Sequence, residues 1–108
     1  MSDADDAQDD CPPPALNEGE IAREIPIVNR KGLHARATAK FVQCVELFDA
    51  KVRVTRCGET VGGDSIMGIL TLGAGIGSTI FVSAAGAQAD EVLNALEALV
   101  ANRFGEDE

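Results

Sequence analysis

The chain contains a single histidine, His34, in the run Gly32-Leu33-His34-Ala35-Arg36. Directly after it, Thr38, Phe41, Val42, Val45 and Phe48 recur at helical spacing, which predicts an amphipathic helix from Ala35 to about Phe48 with Lys40, Gln43 and Glu46 outward. His34 therefore falls at or beside the N-cap of that helix. The first N–H groups of a helix have no internal partner and lie at the positive end of its dipole. Such an end takes up phosphate readily. Arg36, two residues on, adds a guanidinium suited to bidentate contact with a phosphoryl group. Imidazole is a good nucleophile near neutral pH and a good leaving group once phosphorylated. These residues suit a transient phosphohistidine. They also fit a surface histidine at a helix start with no further role.

A second candidate is Asp64-Ser65-Ile66-Met67-Gly68. Ser65 is a natural N-cap for a short helix carrying Ile66, Met67, Ile69, Leu70 and Leu72. A helix this short cannot bury all of those side chains. Ile66, Met67 and Leu70 are therefore expected to form an exposed, adaptable docking patch. Gly73, Gly75 and Gly77 resemble a phosphate loop only in spacing. No Lys-Ser/Thr pair follows them, and an apolar strand comes next instead of a helix. No acid–base carboxylate pair stands out, and neither a metal nor a cofactor is expected. The cysteines, Cys11, Cys44 and Cys57, lack metal-ligand spacing. They read as structural, reduced thiols in a cytoplasmic protein.

These residues must be held by a small fold. The chain has 108 residues, one domain's worth, with 45% hydrophobic and 25% charged residues. Its formal charge of −9 is uneven. Residues 1–20 hold seven acids and no Lys or Arg, and residues 106–108 add three acids. Between Arg23 and Arg56, eight bases face three acids, a local +5. The acidic ends argue against nucleic acid and anionic membranes as partners. The absence of Trp and Tyr argues against a stacking platform for single strands. No apolar run is long enough to insert in a membrane, and the acidic start is unlike a signal peptide. The basic stretch suits a small anion or an acidic protein face.

Residues 1–19, Asp-rich and carrying Pro12-Pro13-Pro14, read as a disordered acidic leader. Residues 20–105 read as the folded domain, and 106–108 as an acidic tail. Glu20–Asn29 predicts an edge strand, because Pro26 cannot donate to a ladder. Lys51–Cys57 alternates strictly and predicts a strand with one wet face. A turn at Gly58-Glu59 leads to a returning strand over Thr60–Gly63. Ser78–Ala85 predicts an apolar strand, and Gln88 to about Phe104 the longest helix, with Val92, Leu93, Leu96, Leu99 and Val100 on one face. The order is β-α-β-β-α-β-α, an α+β chain with three helices on one face of a four-stranded sheet.

The chain resembles the HPr phosphocarrier family of the phosphoenolpyruvate-dependent phosphotransferase system. That family's signature is Gly-Leu-His-x-Arg-Pro-Ala, against Gly32-Leu33-His34-Ala35-Arg36-Ala37-Thr38 here. Its second signature, a serine followed by apolar residues, is similar to Ser65-Ile66-Met67-Gly68-Ile69-Leu70. The likeness extends over about residues 20–104. Ala37 replaces the family's proline, and Thr38 its small alanine.

The resemblance implies an open-faced β-sandwich with a four-stranded antiparallel sheet. It implies that His34 is phosphorylated on Nδ1 by Enzyme I and passes the group to an EIIA protein, with Arg36 stabilising the phosphate. Ser65 would be a regulatory serine for a dedicated HPr kinase/phosphorylase, and Ile66, Met67 and Leu70 a patch shared by docking partners. The expected protein is a monomeric carrier and not an enzyme, serving sugar uptake or a nitrogen-type regulatory branch. The alternative is a regulatory module of the same fold that docks partners without carrying phosphate. An acyl-phosphate hydrolase is disfavoured, because nothing at the helix end would activate a water.

Overall fold

The structure, a computed structural model, describes residues 11–106. Most of the expected acidic leader, residues 1–10, and the last two residues of the expected tail lie outside the described residues. The elements run β1 (Ile21–Pro26), α1 (Ala35–Glu46), β2 (Lys51–Arg56), β3 (Glu59–Gly62), α2 (Ile66–Thr71), β4 (Thr79–Ala85) and α3 (Ala89–Ala101). A short 3-10 turn at Arg103–Gly105 follows. The four strands form one antiparallel sheet in the order β1-β4-β2-β3. β1 is an edge strand, as Pro26 requires. The three helices cover one face, the open-faced sandwich expected from the element order.

Alternation places Ile25, Val54, Ile80, Val82 and Ala84 on the helix side of the sheet, all essentially without solvent exposure. Phe41 of α1, Ile69 of α2, and Val92, Leu93, Leu96 and Val100 of α3 close over them. This one core holds both helix starts in place.

The β2–β3 turn is shifted by one residue from the expected position. Its central residues are Cys57 (φ +50°) and Gly58 (φ +84°), between paired Arg56 and Glu59. Two positive φ values in a two-residue hairpin match the right-handed twist of the strands it joins. Lys40 also departs from expectation. Its ammonium donates to the carbonyl of Phe104 at 2.7 Å, so it ties α1 to the chain's end instead of pointing into water.

The second sheet face is less open than the alternation of β2 suggests. Thr55 and Ser83, both pointing away from the helices, are buried. The chain from Cys11 to Glu20 is fastened over this side at two places. The Arg53 guanidinium binds both carboxylate oxygens of Glu20 and reaches the carbonyl of Ala15 at 3.3 Å. Cys11 is disulfide-bonded to Cys57, with Cα atoms 4.9 Å apart. The expectation of three reduced thiols is thus corrected. Spacing along the chain says nothing about two cysteines brought together by a returning segment, and only Cys44, packed against the core, is free.

Candidate functional site

The loop before α1 is shaped by glycine and asparagine. Gly32 takes φ +66°, and a Cβ there would lie 2.5 Å from the carbonyl oxygen of Ala74. Only glycine allows so close an approach of two backbones. The approach is sealed by a hydrogen bond from Leu33 N–H to Ala74 O at 2.9 Å. The buried Asn29 donates its side-chain amide to Gly32 O at 2.8 Å. Thr38, fully buried, donates its hydroxyl to Leu33 O at 3.2 Å. The loop is therefore fixed from three sides, and His34 with it.

His34 is the N-cap of α1, with extended backbone (φ −77°, ψ 179°). Its carbonyl accepts the first helical bond, from Thr38 N–H at 2.8 Å. Its side chain does the rest of the capping: Nδ1 accepts from the backbone N–H of Arg36 at 3.3 Å. The lone pair of Nδ1 thus faces the helix start. No acidic residue occupies the first turn of α1, so the positive end of the dipole is left for an incoming anion. Ala37 keeps a backbone N–H that the family's proline would lack. Arg36 is exposed on the same turn.

Sequence reasoning missed the group on the other side of the ring. His34 Nε2 is hydrogen-bonded to Glu106 Oε2, and both side chains are largely shielded from water. Glu106 Oε1 accepts from Asn29 Nδ2 at 3.1 Å. The His34 hydrogen bond holds the Glu106 carboxyl below its ordinary value, against the opposing effect of burial. The Asn29 hydrogen bond and the nearby charge of Lys31 deepen the lowering. An acidic run at a chain end has the composition of a solvated tail, and only the fold brings residue 106 to residue 34.

Ser65 caps α2 as its position predicts, with Oγ accepting from Gly68 N–H at 3.0 Å. Gly68 is needed there, since a Cβ would stand 2.9 Å from both Ser65 Oγ and Val61 Cβ. Ile66 and Met67 are exposed, Met67 by 72%, whereas Leu70 is half-buried. Leu47, at the C-cap of α1, is 78% exposed and was not foreseen, because helical spacing alone does not show where a helix face ends. The structure gathers His34, the Arg36 amide, Asn29 and Glu106 into one site. It sets Ser65 with Ile66 and Met67 on a separate short helix. Among the described residues no cluster of His, Cys, Asp and Glu could hold a metal ion. No helix among them is long and apolar enough to cross a membrane.

Comparisons with known proteins agree with this geometry. A family profile described as the PTS HPr component phosphorylation site matches residues 21–102. The phosphocarrier protein HPr of Cupriavidus necator is 47% identical over 88 residues, covering 82% of this chain and 99% of that protein. HPr of Pseudomonas aeruginosa is 49% identical over 88 residues, covering 81% and 98%. Among solved structures, HPr-C-His of Thermoanaerobacter tengcongensis superposes with a TM-score of 0.78 at 38% identity, covering 82% of this chain and 99% of that one. HPr of Bacillus anthracis gives 0.74 at 37% identity, covering 77% and 99%. With its sheet order, its capped histidine and relatives matched along nearly their whole length, the chain belongs to the HPr family of phosphotransferase-system phosphocarrier proteins.

Proposed function

We propose that His34 accepts a phosphoryl group from Enzyme I on Nδ1 and passes it to an EIIA-type protein. The observation that carries this reading is the orientation of the ring. Nδ1 is turned to the start of α1, where its lone pair already accepts the Arg36 N–H. On transfer, the bond between phosphorus and the donor nitrogen breaks as the bond to Nδ1 forms. The electron pair of the broken bond returns to the donor. The Arg36 amide, released from Nδ1, turns to a phosphoryl oxygen, and the exposed Arg36 guanidinium closes on the others. Transfer onward reverses these steps, with the ring as leaving group. Incubation with Enzyme I and phosphoenolpyruvate, followed by intact mass, tests the reading. One added phosphoryl group that is lost in acid is expected, and no mass gain would overturn it.

Ile66, Met67 and Leu70 provide the apolar part of the partner surface in this reading, with basic residues between Arg23 and Arg56 drawing an acidic partner face. A phosphate on Ser65, from a kinase of the HPr kinase/phosphorylase type, would add about −2 charge at the edge of that surface.

A further inference from the structure

We propose that Glu106 is a positioning residue for phosphoryl exchange, holding the Nε2 proton of His34 so that Nδ1 presents its lone pair to the incoming group. The proposal rests on the reading of His34 as the phosphoryl acceptor and adds a residue near the chain's end to that site.

The geometry is built, not incidental. α3 ends at Ala101, and the chain then turns back through three residues of left-handed backbone, Arg103 (φ +56°), Phe104 (φ +56°) and Gly105 (φ +79°). Arginine and phenylalanine adopt that conformation only at a cost, and it persists where the surroundings enforce it. Here Phe104 is 1% exposed within the core. Its carbonyl accepts from Lys40 of α1, and Glu106 N–H closes on Arg103 O at 2.9 Å. The strained turn aims Glu106 at His34. Asn29 fixes its second oxygen and, through Gly32 O, the loop that carries the ring. One buried amide thus sets both partners.

The chemistry follows from the two ring nitrogens. In a neutral imidazole one nitrogen holds the proton and the other the lone pair, and the hydrogen bond at one decides the other. A carboxylate accepts only, so Nε2 must donate to Glu106. Nδ1 is then the acceptor, in agreement with the Arg36 N–H directed at it. When phosphorus bonds to Nδ1, the ring keeps its Nε2 proton and gains positive charge. The Glu106 carboxylate opposes that charge without taking the proton. When the group leaves, the same contact stays with the neutral ring, so no proton has to cross to solvent in either direction.

The experiment compares full-length wild type with E106A, E106Q and E106D. ¹⁵N shifts of the His34 ring at neutral pH report which nitrogen carries the proton, and rapid quench with phosphorylated Enzyme I reports the uptake rate. Wild type should show the proton on Nε2. E106A should mix the two tautomers and slow uptake by about tenfold. E106Q should keep the tautomer through its side-chain carbonyl and still slow uptake, having lost the charge, whereas E106D should recover part of the rate. Wild-type uptake with unchanged rates in E106A and E106Q overturns the Glu106 proposal alone. No uptake by folded wild type overturns the reading of His34 first, and the proposal with it.

Discussion

Glu20 and Arg53 meet on the sheet face away from the helices, with Arg53 Nε and Nη2 at 2.7 and 2.6 Å from the two carboxylate oxygens. The Glu20 side chain is 6% exposed. Its carboxyl is held below its ordinary value, first by the Arg53 hydrogen bonds and against the opposing effect of burial. Ser83, paired in register with Arg53 and Ala22, lies fully buried on the same face.

This pair predicts an acid-sensitive stability. A carboxyl lowered on folding stabilises the native state above its ordinary value of 4.5, and that contribution is lost as pH falls through the folded value. E20Q should be less stable than wild type near neutral pH by about 0.5–1 kcal/mol, allowing for solvent around Arg53. The gap should close in acid. Denaturant midpoints at pH 7 and pH 3 measure it, and a gap equal at both would refute the ion pair's contribution.

H34A should abolish phosphoryl uptake while leaving the fold intact. The cap it removes costs on the order of 1 kcal/mol. Intact mass after Enzyme I treatment, with circular dichroism on the same sample, checks both. Full incorporation in the variant would place the acceptor elsewhere.

Arg36 should matter for transfer and little for folding, since its side chain is exposed. R36A should change stability by less than about 0.5 kcal/mol. Its transfer rate should fall at least about tenfold, or about 1.4 kcal/mol of transition-state stabilisation. Equal rates in both proteins would contradict the role.

S65A removes the acceptor of the Gly68 N–H and should cost about 1 kcal/mol. S65D can still cap α2, so its melting temperature should stay within a few degrees of wild type. Its added charge beside Ile66 and Met67 should slow transfer from Enzyme I. Unchanged kinetics in S65D would defeat the docking argument.

The Cys11–Cys57 bond joins residues 46 apart. The chain-entropy estimate for such a loop is about 4 kcal/mol as an upper figure. Reduction, or C57S, should lower the melting temperature by several degrees. Denatured, unreduced protein should titrate one thiol, Cys44, and three after reduction. Three thiols before reduction would show the bond absent.

What could be read from the residues follows the range of the forces involved. The caps at His34 and Ser65 depend on a few neighbouring atoms, and both helix starts follow from local chemistry. Pro26 marks β1 as an edge because its missing N–H acts within one ladder. The Cys57–Gly58 turn shifts by a single residue, because Cys at positive φ leaves no compositional signal. Glu106, Lys40 and Cys11 are different. Each meets its partner across 46 to 72 residues, and each looks from its neighbours like a tail or a wet face. Thr55 and Ser83 alternate as wet residues do, yet they are buried.

The strand order also governs how the molecule comes into being. β4, the last strand made, is the central one that joins β1 to β2. Until residues 79–85 exist, the only available strand pairing is the β2–β3 hairpin, and an isolated hairpin is marginal in water. β1, translated first, must wait with Ile25 uncovered for a partner more than fifty residues later. Pairing over such separations is slow relative to helix formation. The domain must therefore assemble in one step once β4 has been made, and a nascent chain stalled before Thr79 has neither the four-stranded sheet nor a fixed histidine.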